Sequence, residues 1–213
     1  MLLGRPSRLA LIAGASVPAL YFGAQLVRGP FVDGYSFRRD AASDLGADGV
    51  PGAVWFNVLA IASGVAAIVA AVGWRRALAP WHIGRVGRGA LGAAVISIGV
   101  ASVAAGVFPL PDDRHGGGAL GIGLFAFPVL FVIATQRSRS PRWVVRYALL
   151  NLVLFGVAAL MFSGATWLDP HKDEGVMQRL LACSVFVPIG VVSLAAMRSG
   201  RRPADGCRSP TGT

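Results

Sequence analysis

The chain has 213 residues, 54% of them hydrophobic and 14% charged, where a soluble domain carries about 25% charged residues. That composition excludes a disordered soluble chain, and two cysteines with no CxxC or Cys/His cluster exclude a disulfide scaffold and a structural zinc site. The formal net charge of +10 would suit nucleic acid unless the arginines are confined to one side of a membrane.

Six uncharged stretches run over 9–27, 49–74, 89–111, 115–136, 147–168 and 180–197. Crossing about 30 Å of hydrocarbon at about 1.5 Å per residue takes about 20 residues, so each stretch can span as a helix. Runs as rich in Ala, Leu and Val as 57–73 satisfy their backbone in lipid as helices, not as alternating barrel strands. The expected fold is an all-α polytopic membrane protein with six transmembrane helices. One domain is expected over 1–197, with spans at 9–27, 53–73, 89–108, 118–135, 147–167 and 179–197, followed by a disordered basic tail at 198–213. The first stretch is read as a retained span, because its small-x-small site, Ala13-Gly14-Ala15, follows Arg8 too closely for a cleaved signal.

The first span places Ala15, Ala19 and Gly23 at four-residue spacing and Pro18 near its middle. The connection after it, Arg28 to Pro51, is longer than two helices need and is dense in polar groups. Within it Asp40, Ser43 and Asp44 stand at i, i+3 and i+4, one face of a short helix that Gly46 would end. The second span opens on Phe56-Asn57 and ends at Arg75-Arg76. The third places Gly89, Ala93, Ser97, Ala101 and Ala105 every four positions, a groove for a neighbouring backbone. After it comes Phe108-Pro109-Leu110-Pro111-Asp112-Asp113-Arg114-His115 and three glycines. The fourth and sixth spans hold Pro128 and Pro188, each permitting a kink. The connection Leu168-Asp169-Pro170-His171-Lys172-Asp173-Glu174-Gly175 leads to Gln178 and Arg179 at the head of the sixth.

With the amino terminus in the cytoplasm, fourteen of the twenty basic residues lie inside and nine of the ten acidic residues outside. The Lys/Arg bias therefore puts both termini in the cytoplasm and makes the positive charge a collar on anionic lipid, which excludes nucleic acid as a partner. Trp55 and Trp167 outside, and Trp74, Trp81 and Trp143 inside, fall near span ends, as an interfacial belt requires.

The outer face gathers the residue types that do chemistry. Asp40, Ser43, Asp44 and His115 form the expected polar centre, the catalytic set if the protein is an enzyme, with Ser36, Asn57, Asp112, His171 and Arg179 as substrate-binding candidates. Ser36 or Ser43 with His115 and an Asp supplies the types of a nucleophile, base and orienter, without a GxSxG elbow. Two histidines and a carboxylate could bind a metal, but no HxxxH or HExxH spacing supports one, so no metal ligand is assigned and no cofactor is named. No ionisable residue sits near a midplane, which removes the usual coupling group of an ion-driven carrier.

Tyr35-Ser36, Asp40 through Gly46, Phe56-Asn57 with Gly64, Phe108-Pro109 with Asp112 and His115, and Gly175 with Gln178-Arg179 give the chain a resemblance. It resembles the bacterial and archaeal six-span family catalogued as domain of unknown function nine-nine-eight, over roughly residues 8 to 197. The resemblance implies six spans and picks out Asp40, Ser43, Asp44, Asn57, His115 and Arg179, but no activity. Where it implies an acidic residue before the arginine, this chain has Gln178. The arrangement is also loosely similar to membrane hydrolases of the alkaline ceramidase and progestin-receptor type, whose paired histidines on a late helix are missing here, so their zinc is not carried over.

The sequence thus predicts a multi-pass plasma-membrane protein with an outward polar site that binds or modifies a lipid or isoprenoid head group, its partners being membrane lipids. The alternatives are a non-catalytic accessory subunit whose outer loop docks a protein, and a small-solute transporter.

Overall fold

The computed structural model describes residues 4–166, 169 and 172–199. The helices are α1 (Arg5–Arg28), α2 (Ala53–Ala77), α3 (Arg85–Val107), α4 (Gly123–Gln136), α5 (Arg142–Phe162) and α6 (Glu174–Ser199). No strand occurs among the described residues. Counting the irregular segment His115–Ile122 that leads into α4, six segments are long and apolar enough to cross a membrane. Successive helices pack on each other, α6 closes the ring on α1, and α6 also touches α2 and α4. Large apolar side chains such as Val65, Val69, Leu150 and Val153 face outward, as a bilayer solvent allows.

Helices α1, α3 and α5 begin on Arg5, Arg85 and Arg142, earlier than the uncharged stretches. An arginine can lay its stem along the helix and reach the head groups with its guanidinium. The fourth segment departs from a continuous span. Gly116, Gly117 and Gly118 adopt positive φ and break the helix there. That leaves α4 with 14 residues, or about 21 Å, short of the roughly 30 Å hydrocarbon core. Irregular backbone at that depth needs partners from protein. Ser97 of α3 supplies them, its Oγ accepting from the Gly123 amide at 2.8 Å and donating to the Leu120 carbonyl.

The predicted small-residue groove on α3 divides. Ser97 and Ala101 face the irregular segment, whereas Gly89 and Ala93 are exposed. The closest backbone approach lies elsewhere on α3: a Cβ on Gly99 would stand 2.6 Å from the Gly64 carbonyl of α2, and one on Gly64 would stand 2.5 Å from the Gly99 carbonyl. On α1, Ala19 is exposed and Gly23 meets nothing, and the tight contact is made by Gly14 against Ser193 and Ala70.

All three internal prolines lie within helices. Pro188 leaves the carbonyl four residues earlier, that of Ser184, without its helical donor. Buried Asn151 of α5 supplies the replacement, donating from Nδ2 to that carbonyl at 2.9 Å. The tryptophans separate into two kinds. Trp55 and Trp143 are 68% and 48% exposed, as an interfacial belt requires, but Trp74 and Trp81 are 0% and 3% exposed. Each of the buried pair donates its indole N–H into α6, Trp74 to Ser193 Oγ at 3.0 Å and Trp81 to Ser199 Oγ at 3.2 Å. They fasten α6 into the bundle. Trp167 lies outside the described residues.

Candidate functional site

The three connections that carry the acidic residues share one end of the bundle, and the long one, 29–52, folds back onto the head of α6. The carbonyls of Arg39 and Arg38 accept from the Gly175 and Val176 amides at 3.3 and 3.1 Å, which satisfies first-turn donors that the helix itself leaves free. Arg38 also pairs with buried Asp173, just before the helix. Gly175 is required here: a Cβ would lie 2.3 Å from the Asp40 carbonyl and 2.7 Å from that of Phe37.

Arg179, one turn further on, holds the loop from inside. Its Nη1 donates to the carbonyls of Phe37, Gly175 and Asp40 at 2.7, 2.8 and 3.1 Å, and its Nη2 donates to the Tyr35 hydroxyl. The guanidinium carbon lies 4.9 Å from the Phe37 ring centroid, within cation–π range. Tyr35 in turn donates to the Ala41 carbonyl at 3.1 Å. Burial raises the pKa of Tyr35 against the opposing pull of Arg179. Gln178 completes the latch by accepting the Ala42 amide at 2.6 Å. A carboxylate is thus dispensable at position 178, because an amide oxygen accepts the same bond.

Beneath this lid lies a cavity of about 340 Å³, within the roughly 300–1,000 Å³ range of small-molecule sites. Its walls are mainly apolar, with Phe56, Ala60, Ile98, Ala101, Leu181 and Phe186 among the lining residues. Ser43, His115 and Gln178 add polar groups at the loop-covered end. On α6 the lining positions Gln178, Ala182 and Phe186 recur every fourth residue, one face of the helix. On the opposite side the cavity is bounded by His115, Gly116 and Leu124, where the fourth segment is irregular.

His115 Nδ1 lies 2.8 Å from the Phe108 carbonyl. A carbonyl only accepts, so Nδ1 carries the proton in that bond, and in the neutral ring Nε2 keeps a lone pair. Asp44 is half-buried; burial raises its pKa, while Arg179 and His115 favour its charged form. Ser43 and Asp44 come from the short 3-10 turn Ala42–Gly46.

The structure therefore brings Ser43, Asp44 and His115 to one neighbourhood, and it separates the other candidates from them. Asp40 precedes the short turn, accepts the Ser36 amide at 2.6 Å and pairs with Arg39, which holds its pKa below the usual carboxylate value. Ser36 Oγ accepts the Arg39 amide at 3.4 Å within the same turn. Asn57 donates to the Gly46 carbonyl at 2.9 Å and seats the loop on α2. Asp112 is held by Arg114, whose guanidinium and amide push its pKa down to about 2, and Arg114 lies over the Phe108 ring. Arg179 is occupied by the latch. His171 lies outside the described residues. Among the described residues no three His, Cys, Asp or Glu side chains converge as a metal-ligand set.

Two features escaped the sequence reading: the apolar chamber itself and the use of backbone carbonyls as partners of Arg179. The spacing of Gln178, Ala182 and Phe186 was the available signal for the first. No curated protein and no solved structure matches the chain. A family model described as Protein of unknown function (DUF998) matches residues 15–195. That match spans most of the chain and reaches all six of its apolar segments, and the chain belongs to the DUF998 family.

Proposed function

We propose that the protein binds one chain of a membrane lipid or isoprenoid in the cavity beneath the latched loop and holds its head group against Ser43, Asp44, His115 and Gln178. The observation that carries this reading is the cavity's mainly apolar lining, to which Tyr21 and Ser102 add polar groups along the walls, with Ser43, His115 and Gln178 gathered next to the short turn Ala42–Gly46. An apolar chamber inside a bundle favours a hydrocarbon chain, and a few convergent polar groups fix the orientation of a ligand. His115, with Nδ1 engaged, offers Nε2 to accept a proton from a head-group hydroxyl or from Ser43. Asp40, Ser36, Asn57 and Arg179 then serve the site by fixing the loop. The arginine bias supports a site on the outer face of the plasma membrane, with both termini in the cytoplasm.

A docked protein partner is the weaker reading, because Arg38, Arg39 and Asp40 of the long loop are engaged within the chain. Native mass spectrometry of protein purified in mild detergent separates the two. Wild type is expected to retain a chain-bearing lipid, Ala105→Trp to lose it by filling the chamber from α3, and His115→Ala to retain it more weakly. Equal retention by all three would remove the proposal, and so would a stoichiometric protein partner in place of lipid.

A further inference from the structure

The opposite end of the bundle carries a second recess, independent of the first. A groove of about 830 Å³ runs between α1, α2 and α3, lined at one end by Arg75, Arg76, Arg85 and Arg88. Its apolar wall is built by Ala10, Ile68, Val69 and Val72. Val69 and Val72 are exposed on the outer surface of α2, so the groove lies open to the surrounding hydrocarbon.

None of the four arginines is paired with a carboxylate among the described residues; Arg88 donates from Nη1 to the Ile83 carbonyl at 2.9 Å, and Arg75, Arg76 and Arg85 are exposed. The sequence explains this: with the termini on this side, the acidic residue there is Asp205, which lies outside the described residues. Four like charges clustered at the end of an apolar trough repel one another unless an anion joins them. The anion that reaches this depth with hydrocarbon attached is the phosphate of a membrane lipid.

We propose that this groove is a binding site for an anionic phospholipid, its phosphate among Arg75, Arg76, Arg85 and Arg88 and an acyl chain along Ile68, Val69 and Val72. Gly89, which also lines the groove, supports a clean test, since a Cβ there would meet nothing within 4 Å. A larger side chain at that position enters the groove without disturbing the bundle.

Detergent-solubilised full-length protein is titrated with phosphatidylglycerol, phosphatidylcholine or inorganic phosphate, and bound lipid is counted by native mass spectrometry. Phosphatidylglycerol is expected to bind in preference to phosphatidylcholine and to resist competition by inorganic phosphate. Replacing two arginines, as Arg75→Gln with Arg85→Gln, is expected to weaken it about thirtyfold, each basic residue near the surface contributing about 1 kcal/mol. Gly89→Phe is expected to lose it with every arginine in place, which keeps the test valid if the double variant folds poorly. Equal binding of the two lipids, displacement by inorganic phosphate at matched concentration, or unchanged affinity in Gly89→Phe would overturn the assignment. Ala105→Trp leaves this binding intact, so failure here and failure of the outer-site reading are distinguishable.

Discussion

The two ends of the bundle hold their basic side chains in different ways. At the acidic end the described ion pairs are made within the chain: Arg38 with Asp173, Arg39 with Asp40, Arg114 with Asp112 and Lys172 with Asp169. Arg179 there is enclosed by carbonyls and aromatic rings. At the basic end, Arg75, Arg76 and Arg85 stand exposed without a carboxylate among the described residues. Internal pairing fixes a loop and so builds a lid, whereas unpaired charge remains available to a ligand. The lesson is that arginine content says little until each guanidinium's partners are named.

This contrast predicts unequal costs. Arg179→Met removes a charged donor from three carbonyls and should cost about 3 kcal/mol, since bonds to charged groups are worth about 1.5–3 kcal/mol each and are not additive. Thermal unfolding in detergent and protease cleavage within 29–52 would report it. Arg75→Gln should change stability in lipid-free detergent by less than about 0.5 kcal/mol. Equal costs at both ends would abolish the distinction.

Gly175→Ala sharpens the same point without touching charge. The added methyl meets the Asp40 carbonyl, and overpacking of this kind should cost about 2 kcal/mol, with the loop released to protease as in Arg179→Met. A mid-bundle control belongs to neither end. Asn151→Leu should cost about 1 kcal/mol. Most of that cost should vanish in a Pro188→Ala background, where the helix itself can bond the Ser184 carbonyl, and a double-mutant cycle measures the coupling.

The smallest effect is the pH dependence of the acidic end. Asp173, Asp40 and Asp112 have pKa values lowered by their arginine partners, to about 2 for Asp112. Their contribution is full above the ordinary carboxylate value of 3.8 and is lost as pH falls from there through the folded values. Asp44 runs the other way: its raised folded pKa makes stability fall as pH rises from 3.8 through that higher value. Protease susceptibility of 29–52 should therefore increase below pH 4. The turn between α2 and α3 contains no carboxylate and should show no such change.

What the sequence made legible follows from what each observation depends on. The number of spans depends on uncharged length, which the bilayer dictates, so six segments could be read directly. The break at Gly116–Gly118 could not, because apolar length is blind to whether backbone is helical or supported by a neighbour such as Ser97. Trp74 and Trp81 resembled belt residues because linear position near a charged terminus does not say which face a side chain takes. Gly175, Gln178 and Arg179 were recognisable as a group, but their partners are largely backbone groups, which leave no trace in residue identity. Ser43, Asp44 and His115 were legible as types, and their common neighbourhood depends on a fold-back of the loop that no spacing encodes.

The central claim, that the chamber beneath the latched loop houses a hydrocarbon chain, is tested most directly by determining the structure in lipid nanodiscs. Continuous density for a chain is expected between Phe56, Ala101 and Phe186, ending in a head group beside Ser43 and His115. A chamber closed by its own side chains, or one holding water alone, would contradict it.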